Sequence, residues 1–242
     1  ASNANGTGPF KITLREQDVR TVFEKNTDWW GDDSTFNVDK IELLPIANDA
    51  TRVAALLSGE IDYTNVVPVQ DIERIKSSSA HEVKLVPQNR TIFFGMDQGS
   101  AELNSSNIKG KNPFADKRVR LAMYHALDIE AIKEKVMRGQ SAPAGIITAP
   151  GINGHTPERD QRLAYDPELS KKLLAEAGYP DGFELTLDCP NDRYINDEAI
   201  CVAAIGMFAK IGVKVNLDAK TKSQHFSEVK EGDANGMTSD MY

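Results

Sequence analysis

The pattern that most restricts this chain lies between residues 183 and 217. Residues 183–189 read as an apolar strand, 197–211 as a helix with apolar residues nearly all round, and 213–217 as a second strand. A strand, a helix and a strand in this spacing make a βαβ unit, and a right-handed crossover sets the two strands parallel. Parallel strands are covered by helices, so the expected class is α/β rather than an all-β sandwich.

The remaining elements alternate in the same way. Residues 10–16 and 20–25 are rich in β-formers and are separated by Gln17-Asp18, which predicts a hairpin. Residues 40–46 read as a buried strand, followed by a helix from about Asn48 with Val53, Leu56 and Leu57 on one face and Gly59 as its stop. A short strand is expected at 61–63, a helix at 69–76, and two strands at 82–87 and 90–96. Helices follow at 116–126 and 128–138, the second with Asp128 as N-cap and Ile129, Ile132 and Val136 as its apolar stripe. Asp166-Pro167-Glu168 opens the best-marked helix, with Asp as N-cap and Pro at the first helical position; Gly178 closes it. A last helix is expected near 224–230, and a strand at 237–242.

Residues 97–112 are dense in Gly, Ser and Asn and sparse in apolar residues, as a surface connection between two lobes would be. The expected division is a hinge-side α/β lobe over 6–98, a connection over 99–112 and a second α/β lobe over 113–242. Residues 1–5 read as a tag or linker remnant. The Pro- and Gly-rich stretch 141–157 predicts a long loop of the kind used for binding.

Composition excludes several function classes. A chain of 242 residues with 40% hydrophobic content buries a sizeable core. No apolar run approaches the roughly 20 residues of a membrane helix, and no signal-peptide pattern opens the chain, so either a signal was removed or the sequence starts mid-protein. A net charge of −8 with interleaved signs argues against a nucleic-acid surface. The two cysteines, Cys189 at a strand end and Cys201 in the next helix, fit a strand-to-helix staple and equally fit two buried thiols.

Catalytic signatures do not assemble. Gly6-Thr7-Gly8 is followed by Pro9 and a strand, whereas a phosphate cradle needs a helix there. His81, His125, His155 and His225 are scattered, with no two at helix-face spacing, and His125 reads as packing a helix end. Asp32-Asp33 and Asp188 with Asp192 sit in turn contexts. No nucleophile elbow is present, and no metal or cofactor is expected. The loop 190–197 is different, because it follows a strand's C-terminal end and precedes a helix, where ligands collect in α/β sheets. There Asn191, Arg193 and Tyr194 are candidate ligand contacts: Arg193 offers a planar fork for a carboxylate and Tyr194 an amphipathic contact.

Five motifs occur in order: Gly6-Thr7-Gly8-Pro9-Phe10, Trp29-Trp30-Gly31, Arg52–Asp62 (RVAALLSGEID), Pro113–Arg120 (PFADKRVR) and Leu173–Pro180 (LLAEAGYP). This series resembles the peptide- and nickel-binding class (family 5) of bacterial extracytoplasmic solute-binding proteins, the receptors of ABC importers. The resemblance implies a periplasmic-binding-protein-like fold of type II, with mixed sheets flanked by helices in two partial lobes. It also implies a soluble extracytoplasmic receptor, secreted or lipid-anchored, that is not an enzyme. Hinge closure around a di- or oligopeptide would precede docking on ABC permease subunits. It places the loops around Asn65 and Val66, and around Phe94 and Met96, at the inter-lobe cleft, with core packing a competing role for the two apolar strand residues. It makes Trp29-Trp30 a packing element. Nickel chelates, oligosaccharides and opine-like solutes are alternative cargoes, and an α/β hydrolase or transferase is the remote alternative. Family members are about twice as long, so this chain reads as a fragment whose open edges favour dimerisation. The acidic residue that pairs with a peptide's α-amino group in peptide binders is expected beyond Tyr242.

Overall fold

A computed structural model describes residues 6–86, 88–230 and 239–242. Residues 1–5, Pro87 and Met237, which figure in the expected remnant and strands, lie outside the described residues. The chain divides into two compact units, residues 1–67 and 68–242.

In the first unit β1 (Phe10–Glu16), β2 (Arg20–Lys25) and β3 (Lys40–Leu43) form an antiparallel sheet in that order. The expected hairpin turns at Asp18, whose φ of 58° is one that Asp tolerates better than most residues. Ile12, Phe23 and Ile41 stand opposite one another across the three strands. The third strand is shorter than expected and is not buried: Ile41 and Leu43 are 42% and 58% exposed, and among the described residues β3 pairs only with β2 and is an edge.

The first two sequence motifs meet in this unit. The Trp29 and Trp30 indole N–H groups both donate to the Thr7 carbonyl, at 2.9 and 3.3 Å. Trp29 lies over Gly31, where a Cβ would come within 2.5 Å of the ring. Trp29 is therefore the packing element expected, but Trp30 is 81% exposed and is not. Helix α1 (Asp49–Ser58) is capped by Asn48, which accepts from Thr51 N, and ends at Gly59 with φ 77°. Val53, Ala55 and Leu56 are its buried face. Residues 61–63 are not a strand: Glu60 N and Ile61 N donate back to Ala55 O, so the chain winds round the helix end instead of joining a sheet.

The second unit contains α2 (Ile72–Lys76), α3 (Lys117–His125), α4 (Ile129–Ala131, continuing as a π-helical turn Ile132–Val136), α5 (Pro167–Glu176), β4 (Glu184–Pro190), α6 (Asp197–Ala209), β5 (Lys214–Lys220) and α7 (Lys222–Lys230). The predicted caps Asp128 and Asp166 are present, each accepting a backbone N–H of the following turn, and Asp116 caps α3 in the same way. Strands β4 and β5 pair in parallel, from Glu184 opposite Lys214 to Pro190 opposite Lys220. On the other side of β4, Met241 bridges Leu187 in parallel and Met96 antiparallel, so β4 is internal. Its Leu185, Leu187 and Cys189 are fully buried with Phe114, Val119, Leu174 and Phe208. Gly182 and Gly212 precede the two strands with φ of 75° and 87°, and a Cβ on Gly182 would lie 1.9 Å from Gly212 O. Only glycine fits at residue 182.

The fourth and fifth motifs lock α3 to α5. Arg118 pairs with Asp116 and donates to Glu176 O at 2.7 Å, at the end of α5. Arg120 donates to Phe114 O at 2.7 Å. Past Gly178, Tyr179 packs on Phe183 with ring centres 5.4 Å apart.

Three expectations are corrected here. Residues 82–86 form no strand, and of 90–96 only Met96 enters a bridge, to Met241, beside the two backbone hydrogen bonds that Gly95 and Tyr242 exchange. The stretch 97–112 lies within the second unit and is not a bare surface connection, since Leu103 is fully buried in the core. Asn112 folds it, donating to Asp97 O at 3.0 Å and Ser100 O at 2.9 Å. Asp188 lies in β4, not in a turn.

Cys189 and Cys201 form a disulfide between the end of β4 and α6. Closing a loop of this size restricts the unfolded chain by roughly 3 kcal/mol. Replacing both cysteines with serine is expected to lower the unfolding free energy by about 2–4 kcal/mol in urea titrations, with the oxidised wild type matching the variant once reductant is added.

Candidate functional site

The C-terminal ends of β4 and β5 form the edge at which ligands gather in parallel sheets. The loop between β4 and α6 is built by Asp197, buried at the first position of α6. One of its oxygens accepts Arg193 N at 2.9 Å and Tyr194 N at 3.0 Å, and the other accepts Glu198 N at 3.0 Å. Asn196 takes a left-handed φ of 55° and donates from its amide to Val136 O at 2.8 Å. The loop is tied to β5 and α7 as well: Asn191 N donates to Lys220 O at 3.0 Å and Lys222 N to Asp192 Oδ1 at 2.5 Å.

With the backbone held, side chains point outward. Asn191 and Arg193 are exposed and Tyr194 is half-buried. The Tyr194 ring is flanked by two guanidiniums, Arg193 at 5.0 Å and Arg90 at 5.6 Å from its centre. The sequence singles out Arg193 and Tyr194, whereas Arg90 reaches the loop only through the fold.

Below the edge lies an ion cluster. Asp188 and Asp218 are opposite in the parallel register, a repulsive pairing. Lys220, two residues beyond Asp218 and so on the same face, bonds Asp188 at 2.8 Å, Asp218 at 2.7 Å and also Glu228. Burial alone would lower the Lys220 pKa, but the three carboxylates outweigh it and hold the ammonium above its ordinary value. The carboxylate oxygens lie within 4.8 Å of one another, a spacing that suits a metal, yet the ammonium already occupies their centre. His225 of α7 is buried nearby; burial, helped by the Lys220 charge against that of Asp188, pushes its pKa down. The alternation Asp218-Ala219-Lys220 at a strand end was the available signal for this cluster, and ending the strand at Leu217 hid it.

The other expected site residues are placed as follows. Phe94 packs edge-on against Phe208 of the core, and Met96 bridges Met241. Asn65 and Val66 belong to the first unit and are exposed there. Val66 has φ 69°, a strained conformation for a β-branched residue, and its carbonyl accepts from Arg52 at 3.3 Å. Arg52 also holds Ile46 O at 2.9 Å, so the arginine of the third motif fixes the loops at both ends of α1.

His125 packs a helix end as expected, its Nδ1 lying 2.7 Å from Ala164 O. The long loop after Ser141 is ordered by Asp160, which accepts from Gly145 N at 2.6 Å and contacts His155 at 3.1 Å. The His155 contact first, then the loop amides, hold the Asp160 carboxyl below its ordinary pKa.

The sequence pattern of bacterial extracellular solute-binding proteins, family 5 Middle, matches residues 1–242. The chain belongs to this family. Among curated family relatives, it is 30% identical to the periplasmic oligopeptide-binding protein OppA of Salmonella typhimurium over 90% of this chain and 39% of that protein. It is 32% identical to the heme-binding protein A of Haemophilus influenzae over 94% of this chain and 40% of that protein. The structure of the periplasmic binding protein DppA from Helicobacter pylori in complex with the peptide STSA superposes with a TM-score of 0.70 at 26% identity, covering 98% of this chain and 42% of that one. The chain thus spans about two fifths of the length of the curated relatives it matches. Its α/β architecture is that of the periplasmic binding proteins. No described helix is long and apolar enough to cross a membrane.

Removing the central cation of the ion cluster leaves Asp188, Asp218 and Glu228 to repel one another. Lys220→Met is expected to cost on the order of 3 kcal/mol at neutral pH, the low end for a buried pair because two of the acids are half-exposed. Since the folded pKa of Lys220 is raised, its contribution is complete below about pH 10 and fades as pH rises further. Denaturant midpoints of the wild type and variant should therefore converge in strongly alkaline buffer.

Proposed function

We propose that this chain is part of the substrate-binding receptor of an ABC importer that captures di- or oligopeptides between two lobes and delivers them to a membrane permease. The observation that carries this reading is the loop at the parallel-strand edge, where Arg193 and Tyr194 face outward while both carboxylate oxygens of Asp197 are spent on backbone N–H groups of the loop and the first turn of α6. Family membership supports it, as do the peptide-binding relatives. Arg193 would take the ligand's carboxylate as a bidentate fork, Tyr194 would pack on its backbone or side chain, and Asn191 would hydrogen-bond its main chain. Asn65, Val66, Phe94 and Met96 are further candidate ligand contacts. In this reading closure of two lobes is driven by better ligand contacts in the closed state. The receptor acts outside the cytoplasm, secreted or lipid-anchored, and binds rather than transforms its cargo.

A second reading keeps the receptor and changes the cargo to a non-peptide solute such as a nickel chelate, oligosaccharide or opine. Its support is the relative of comparable identity that is a heme-binding protein.

Native mass spectrometry of the protein at its natural length, purified without denaturation, separates the two. A set of co-purified peptide masses is the expected result; one non-peptide mass would transfer the assignment to the second reading. An empty receptor that also ignores peptide libraries would defeat both. The 242-residue chain by itself is expected to self-associate through the exposed edge strand β3, with Ile41 and Leu43 on it. A single monomeric species by light scattering at high concentration would refute that.

A further inference from the structure

We propose that Arg90 makes this site selective for ligands that carry two carboxylates, foremost peptides ending in Asp or Glu; the inference rests on the proposed role of the Arg193 loop in ligand binding. The starting point is which arginines are spoken for. Arg20, Arg52 and Arg118 pair with acids, and Arg120 and Arg162 donate to backbone carbonyls. Arg90 and Arg193 do neither, and nor do Arg15 and Arg138, but only Arg90 and Arg193 share a ring: among the described residues each of these two guanidiniums meets only Tyr194. Two arginines that converge on one ring with no acid between them are unexpected in a chain whose net charge is −8.

The nearby acids are engaged elsewhere. Asp197 accepts two N–H groups of the loop and one of α6, Asp192 accepts Lys222 N, and neither lies in an ion pair with Arg90 or Arg193. Two like charges brought to one aromatic ring repel each other unless an anion is shared between them or each receives its own. The ring holds both guanidiniums by cation–π attraction and leaves their donor edges for a ligand. A peptide's terminal carboxylate supplies one anion. A second, within reach of a neighbouring guanidinium, is what a C-terminal Asp or Glu side chain provides. A neutral C-terminal residue would leave Arg90 unpaired in the closed site, with the desolvation cost that entails.

The test uses the protein at its natural length and isothermal titration with Ala-Glu, its neutral isostere Ala-Gln, and free glutarate as a dicarboxylate that is not a peptide. The expected result is that Ala-Glu binds on the order of tenfold more tightly than Ala-Gln. Arg90→Gln should remove that preference, and Arg193→Gln should weaken both peptides. Circular dichroism of both variants checks folding, which an exposed side chain without hydrogen bonds should not disturb. Equal affinity for the two peptides in the wild type, or a preference that survives Arg90→Gln, would overturn the inference while leaving peptide capture in place. Binding of glutarate that depends on Arg90, with neither peptide bound, would sustain the two-carboxylate site and overturn the peptide reading. No binding of any of the three would overturn both.

Discussion

Everything that positions the edge of the second unit depends on β4 being an interior strand. It is paired with β5 on one side and bridged by Met241 on the other, and its Leu185, Leu187 and Cys189 are fully buried. An interior strand of a parallel pair has its backbone groups satisfied by neighbours and its side chains covered on both faces. Its C-terminal end is consequently a fixed platform, and the loop that leaves it departs from a defined point. The contact of Gly182 with Gly212 at the opposite end sets where the two strands begin. A slip of one residue there would turn Asp188 and Lys220 to opposite faces of the sheet.

Charge is used in two different ways within a few residues. Lys220 is enclosed by three acids and has no capacity left for a ligand. Arg90 and Arg193 are held by an aromatic ring, which restrains them without neutralising them. The first arrangement stabilises the strand ends; the second leaves positive charge available at the surface just above. Both occur in an acidic chain, so the sign of the whole molecule says little about the sign of this site.

The elements with strong local signals were legible in the sequence. Asp128 and Asp166 as caps, Gly59 and Gly178 as stops, and the βαβ unit all rest on periodicity and short-range hydrogen bonding, which a linear reading captures. The failures share a different cause. Residues 82–86 have strand composition, but composition does not supply a neighbouring strand. Leu103 lies in a Ser- and Asn-rich stretch and is buried because Asn112 folds that stretch back, a contact no window of sequence displays. Half of the candidate edge was legible in the same way: Arg193 and Tyr194 follow a strand and precede a helix. Arg90, distant in sequence, comes to the same ring only through tertiary structure.

The disulfide joins Cys189, just before the loop that carries Asn191, Arg193 and Tyr194, to Cys201, in the helix just after it. Both ends of that loop are thereby tethered covalently, and Asp197 fastens its middle. Conformational freedom that a loose loop would surrender on meeting a ligand has been surrendered at folding instead. The edge is a preorganised surface, so the free energy of each new contact goes into affinity rather than into ordering the chain that makes it.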